Sequence, residues 1–179
     1  LGGPPWIDLF HTNAISVIAD GALTREHPQI EPGQLLLCFR HQDRIAVLDL
    51  QRGAFVWSFG QDVLSGPHDA QVLDNGHLLV FDNGLAYGRS RGLEIDAVSG
   101  RIVWQYQADP PQSFFTASKG SIERLANGNT LLAESDRGRV FEVTADGDLV
   151  WEYFSPHRID GRRAAIVRAI RVAPPFAAN

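Results

Sequence analysis

The residues of this chain that could carry chemistry are imidazoles and guanidiniums placed at the ends of strand-forming runs. His11 and His68 stand at the starts of two such runs, and Arg168 lies near the start of a third. Arg40-His41 follows the apolar run LLLCF. Asp82-Asn83-Gly84 follows LLVF, and a donor-rich loop, Ala86-Tyr-Gly-Arg89-Ser-Arg91, comes next. Arginine offers a planar fork for two oxygens, and histidine moves a proton near neutral pH. Gathered round one cavity, the set suits an oxyanion substrate. Taken singly, each has a plainer role. His11 can bond a neighbouring loop, His68 can serve the turn after Gly66-Pro67, the arginines can be solvated, and Asp82-Asn-Gly84 is first a turn signal. His27, His77 and His157 read as surface. His11, His41 and His68 have no short ligand spacing and no cysteine support, so no metal site is expected.

The elements that must position these residues announce themselves by repetition. Gly53-Ala-Phe-Val-Trp57, Gly100-Arg-Ile-Val-Trp104 and Gly147-Asp-Leu-Val-Trp151 share a turn glycine, a β-forming run and a terminal tryptophan, at two equal intervals of 47 residues. A period of that size marks a repeat architecture. The runs within each period are short and β-branched or aromatic, separated by polar turns. The first unit has His11–Ile18, Gln34–Arg40, Arg44–Leu50 and Ala54–Phe59, with 19–33 a loop; the second has His68–Leu73, Leu78–Asn83, Gly92–Ala97 and Arg101–Gln107. Ser118–Leu125, Thr130–Ser135, Arg139–Thr144 and Leu149–Phe154 form the third, and Ile166–Val172 opens a fourth. Asp74-Asn-Gly76 and Ala126-Asn-Gly128 supply tight hairpin turns between first and second strands. No helical period is sustained.

Four strands per unit predict an all-β β-propeller of four-stranded antiparallel blades, at about 11–59, 68–107 and 118–155, with the start of a further blade at 166–172. A small residue recurs in each first strand (Ala14, Ala70, Ser121, Ala169), as crowding round the axis requires. The tryptophan strands then lie outermost, their rings between blades. His11, His68 and Arg168 project into the central funnel. Three blades do not close a ring of 4–8, so open blade faces and sheet edges are expected.

Composition agrees with a folded domain: 44% hydrophobic and 21% charged residues in 179. The net charge of −5 argues against a nucleic-acid partner, and no run approaches a membrane span. Cys38 stands alone and forms no internal disulfide. The absence of methionine and of a leader suggests a segment of a longer protein.

At these residues the chain resembles the arylsulfotransferase family, nucleotide-independent bacterial propeller enzymes. The matching stretches include His11-Thr-Asn-Ala-Ile-Ser, Phe39-Arg-His-Gln, Pro67-His-Asp-Ala, Leu79-Val-Phe-Asp-Asn-Gly84, Ser90-Arg-Gly-Leu-Glu-Ile-Asp96 and Val167-Arg-Ala169, in family order. The resemblance implies a six-bladed ring, an axial active site, periplasmic export, and transfer of a sulfuryl group from an aryl sulfate through a histidine to a phenol, without a cofactor. By motif His11 and His68 match two of the family's active-site histidines and Arg89 its sulfate-binding arginine, with Arg91 the competitor; catalytic roles are expected for His11, His68, Arg89 and Arg168, and substrate contacts for Asn13, Arg40, His41, Asn83 and Arg91. The family's nucleophilic histidine opens a His-Tyr-Arg-Ala motif; here Ile166-Val-Arg168-Ala puts isoleucine in its place. Either His68 or His11 substitutes, or the group passes directly from donor to acceptor, or the propeller is a non-catalytic binder of sulfated aromatic ligands or of a protein partner. The tryptophan repeat is also similar to that of quinoprotein propellers, without their cofactor signatures.

Overall fold

The computed structural model describes residues 8–172. The first seven residues of the expected opening loop, the fourth tryptophan Trp6 and the Ala/Pro tail lie outside them. The first sheet contains β1 (Thr12–Val17), β2 (Leu35–Phe39), β3 (Arg44–Asp49) and β4 (Ala54–Phe59). The second contains β5 (His68–Val72), β6 (Leu78–Asp82), β7 (Arg91–Asp96) and β8 (Arg101–Tyr106). The third contains β9 (Ser121–Arg124), β10 (Thr130–Glu134), β11 (Arg139–Val143) and β12 (Leu149–Phe154). Each is antiparallel with its strands in chain order, and the architecture is a β-propeller. No helix among the described residues is long and apolar enough to cross a membrane.

Continuous apolar runs become the second strands because those strands are covered on both faces. All five residues of β6 and of β10 are buried. The Asn-Gly turns form as their chemistry demands, Gly76 and Gly128 each taking φ +86° and donating to Leu73 and Leu125 carbonyls at 2.9 Å. Ile18, Leu36, Cys38, Ile45, Leu78, Val80, Leu93 and Ile95 fill the space between the first and second sheets. Leu79, Phe81, Phe114, Ile122, Leu132 and Phe141 fill that between the second and third.

The tryptophan strands lie at the edge of each sheet, and their rings reach across. Trp57 Nε1 donates to the Ala97 carbonyl of the second sheet at 3.1 Å, and Trp104 Nε1 to the Ala145 carbonyl of the third at 2.8 Å. A large amphipathic ring that buries its body and keeps one donor is suited to such a staple. Neighbouring first strands meet at the opposite side. Asn13 Nδ2 donates to Pro67 O at 2.8 Å, and the Ile122 amide to Asp69 Oδ2 at 2.9 Å. Ser121 Oγ accepts the Ala169 amide at 3.1 Å, so the recurrent small side chain stands where backbones approach.

Three expectations change. The polar stretch 19–33 carries a five-residue helix, α1 (Ala22–Glu26), because Leu23 and Ile30 turn inward to the core. That turn also buries His27, expected at the surface, with its Nδ1 accepting the Gln29 amide at 3.3 Å. Residues 166–172 form no strand, since no ladder among the described residues pairs with them. They run instead beside the third sheet, held by the Ser121 bond and by an Arg171 amide bond to Glu123 at 2.9 Å. A small hairpin, β13 (Arg158–Ile159) and β14 (Arg162–Arg163), precedes them.

Candidate active site at the propeller axis

Where the first strands converge lies a cavity of about 300 Å³, lined by His11, Asn13, His68, Asp69, Lys119 and Arg168, with Gly120, Ser121 and Val167. Its walls are conformationally unusual. His11, Asp69 and Lys119 all adopt positive φ, at 47°, 51° and 59°. Left-handed conformations cost non-glycine residues free energy and collect where side chains must be aimed. Both β1 and β5 shift register here, between Thr12 and Ala14 and between His68 and Gln71. Such bulges re-aim the residues at the inner end of a strand.

His68 is the buried group of the site. Its Nδ1 lies 2.6 Å from Asn83 Oδ1 and 3.1 Å from the Gly66 carbonyl. Both are acceptors, because Asn83 directs its amide nitrogen at the Thr116 and Lys119 carbonyls, 2.9 and 2.7 Å away. Nδ1 must therefore carry the proton, and the lone pair of the neutral ring sits on Nε2. Burial lowers the pKa of His68 below its ordinary range, against the opposing bonds from Asn83 and Gly66; the charges of Arg40 and His11 add to the lowering. At neutral pH the ring is a neutral base.

Asn83 thus has a different place from the expected substrate contact. It is fully buried and holds His68 and the 116–119 loop together. Gly84 makes this possible. With φ +68°, any Cβ there would stand 1.7 Å from the Arg89 carbonyl oxygen. Gly120 serves likewise at φ +112°, where a Cβ would press within 2.6 Å of the Phe81 ring.

His11 is exposed and differently supported. Asp8 accepts the His11 amide through Oδ1 and its ring Nδ1 through Oδ2, both at 2.7 Å. Those bonds, the amide first, hold the Asp8 carboxyl below its usual range, so the ring has an anionic partner. His41, expected to contact substrate, packs on His11 with ring centroids 4.7 Å apart and donates from Nδ1 to the Asp8 carbonyl at 2.8 Å. Asn13 lines the cavity with Oδ1 buried and unpartnered among the described residues.

The arginines divide. Arg168 lines the cavity, and Arg40 reaches the Ala117 carbonyl at 3.3 Å close enough to act on His68. Arg91 is withdrawn: its Nη2 lies 2.6 Å from the fully buried Asp82 and also bonds Val63 O and Tyr87 Oη. A buried carboxylate needs its counter-ion, and Arg91 is that ion. Arg89 stacks its guanidinium 5.0 Å over the Tyr87 ring with a buried Nε that has no partner among the described residues, outside the cavity lining. Ile166 also turns away, packing with Leu125, Leu131, Ala133 and Val140, while Val167 and Arg168 face the cavity. Two lining residues escaped the reading of the sequence. Lys119 adds a second cation, and Asp69, whose pKa is raised by burial against the Ile122 amide and Arg168, supplies the counter-charge. The only signal for Lys119 was its position before Gly120-Ser-Ile, the third first strand.

Comparison with known proteins bears on what this cavity does. A family model described as Arylsulfotransferase (ASST) matches residues 5–156. No curated protein sequence matches the chain. Among solved structures it is similar to a protein of unknown function from Bacteroides caccae, at 17% identity over 84% of this chain and 48% of that one, with TM-score 0.56. It is also similar to virginiamycin B lyase from Staphylococcus aureus (16% identity, 86% and 44% coverage, TM-score 0.54). A third likeness is to a β-propeller domain from Myceliophteria thermophila (16%, 83% and 42%, TM-score 0.55). The chain spans less than half the length of each, and at these identities the likeness establishes the fold alone.

Proposed function

The chain belongs to the arylsulfotransferase family, and from that membership we propose that its axial cavity transfers a sulfuryl group from an aryl sulfate to a phenol, with His68 as the nucleophile. The observation that carries the reading is the His68 tautomer, with Nδ1–H committed to Asn83 and Gly66 and the Nε2 lone pair left for chemistry. Nε2 attacks sulfur, and the S–N bond forms as the S–O bond to the aryl group breaks. The departing phenolate takes a proton from the His11 ring, whose Nδ1 side is held by Asp8. An acceptor phenol then returns a proton to His11 while its oxygen attacks sulfur, and the S–N electron pair goes back to Nε2. Arg168, Lys119 and Arg40 offset the charge of the sulfuryl oxygens through both steps, the part of such reactions where positioned charge counts most. No step calls on a cofactor. Export to the periplasm and closure of a six-bladed ring belong to the same proposal, on the strength of family membership.

The test is to incubate the full-length protein with an aryl sulfate and a phenol and follow sulfated product. Transfer abolished in His68→Ala supports the scheme. Turnover that is absent, or indifferent to His68, removes it. A second reading, a propeller that binds sulfated aromatics without turning them over, is favoured by Ile166, which is half-buried against the third sheet and has no nucleophile to offer. Calorimetric binding of an aryl sulfate with no product would select it.

A further inference from the structure

Beside the cavity, Asp8, His11 and His41 each place one ligand atom within 4.8 Å of the other two. We propose that these three side chains form a site for one divalent transition-metal ion of the zinc class. Two imidazoles and one carboxylate are the donor set that such ions favour, whereas magnesium or calcium would ask for more oxygens. The sequence hides the site because its ligands come from two segments, 8–11 and 41, with no short spacing between them.

The segments are fixed to one another before any ion arrives. The Arg40 amide donates to His11 O and the His41 amide to Phe10 O, both at 3.2 Å. Gln42 Nε2 donates to Leu9 O, and His41 Nδ1 to Asp8 O, both at 2.8 Å. Four bonds between a 3-10 turn (Arg40–Gln42) and the strand-entry loop hold the three donors close, so little conformational entropy remains to be lost on binding. The left-handed φ of His11 turns its ring back onto Asp8 and against His41, an arrangement without an apolar motive, since all three residues are exposed. Three protein ligands leave a tetrahedral ion one open position, available to water or to an anion oxygen. The inference does not depend on sulfuryl transfer, and an ion on the His11 ring would exclude the proton transfer assigned to that ring, so the two roles compete.

The experiment uses tag-free protein stripped with a chelator and titrated with Zn²⁺ by calorimetry, with Co²⁺ absorption as a spectroscopic check. One equivalent should bind saturably. Asp8→Ala and His41→Gln should each weaken binding by at least about tenfold, with melting temperatures near that of the parent. His77→Ala should leave it unchanged, although His77 makes a separate 2.7 Å contact with Glu94. Absence of saturable binding overturns the proposal, and so does binding that Asp8→Ala and His41→Gln do not weaken. In either case Asp8 is a hydrogen-bond partner of His11 and nothing more.

Discussion

The outer and inner ends of the three sheets are built from the same strand order under opposite requirements. At the outer end Trp57 and Trp104 perform one task twice, each donating to a carbonyl of the following sheet. The residue type repeats because the geometry repeats. At the inner end the first strands converge on one cavity, and each supplies something different: His11 and Asn13, then His68 and Asp69, then Lys119 and Ser121. Register shifts and left-handed residues occur there because identical strands must present unlike side chains to one centre. Periodicity therefore marks what holds the molecule together, and departures from periodicity mark where it can act.

Breaking the inner end should show first in rate. His68→Ala is expected to lower kcat/KM for sulfuryl transfer by about 10⁴-fold or more with only a modest change in melting temperature. A variant that kept its rate would take the chemistry away from this end altogether. Gly84→Ala should do both kinds of damage. With φ +68° and no room for a Cβ beside the Arg89 carbonyl, the loop that seats Asn83 must move, at a cost of about 3 kcal/mol or more. Denaturant titration together with the transfer assay would read the two effects, and a stable, active variant would show that the loop does not seat His68.

The outer end should answer in stability alone. Trp104→Ala removes a half-buried ring and a bond to Ala145, an expected loss of about 2–4 kcal/mol. Trp151→Ala should lose less than about 1 kcal/mol, since this ring is 46% exposed and its indole N–H has no carbonyl partner among the described residues. Equal losses at the two positions in matched urea titrations would erase the distinction between a staple in use and one without a neighbour.

The smallest effect is the most specific. On the proposed mechanism the neutral His68 is the active form, and its pKa lies below the ordinary 6.5. The acid limb set by His68 should therefore lie below pH 6.5, activity falling as pH drops through that lowered value. Replacing its neutral partner by Asn83→Asp puts an anion on Nδ1 and should move the acid limb of the pH–rate profile upward by about one unit. An unmoved limb would mean that Asn83 does not govern His68. Stability follows the same sign. The unfolded ring binds a proton more readily than the folded one, so this contribution is intact above pH 6.5 and is lost as pH falls from there through the folded value.

Much of the frame was legible because its causes are local. The Asn-Gly turns, the buried apolar runs and the glycine-to-tryptophan period act over a few residues, and they predict twelve strands close to their observed bounds. The exceptions have non-local causes. Leu23 and Ile30 draw 19–33 into the core and bury His27 with it, and 166–172 has the composition of a strand but no ladder to join. At the site, residue types were visible while their loyalties were not. Arg91 and Arg89 look alike in sequence, yet the buried Asp82 claims the first.

What the sequence by itself determined is the propeller frame, its family and the pool of imidazoles and guanidiniums at the strand ends. Only the tertiary structure decided which nitrogen of His68 is free, that Asn83 sets it, that Lys119 joins the cavity, and that Ile166 packs on the third sheet in place of lining the funnel. The physical reason is distance along the chain. Hairpins and strands are settled by neighbours, whereas the bonds that orient the site join residues far apart, from His68 with Asn83 to Asn13 with Pro67.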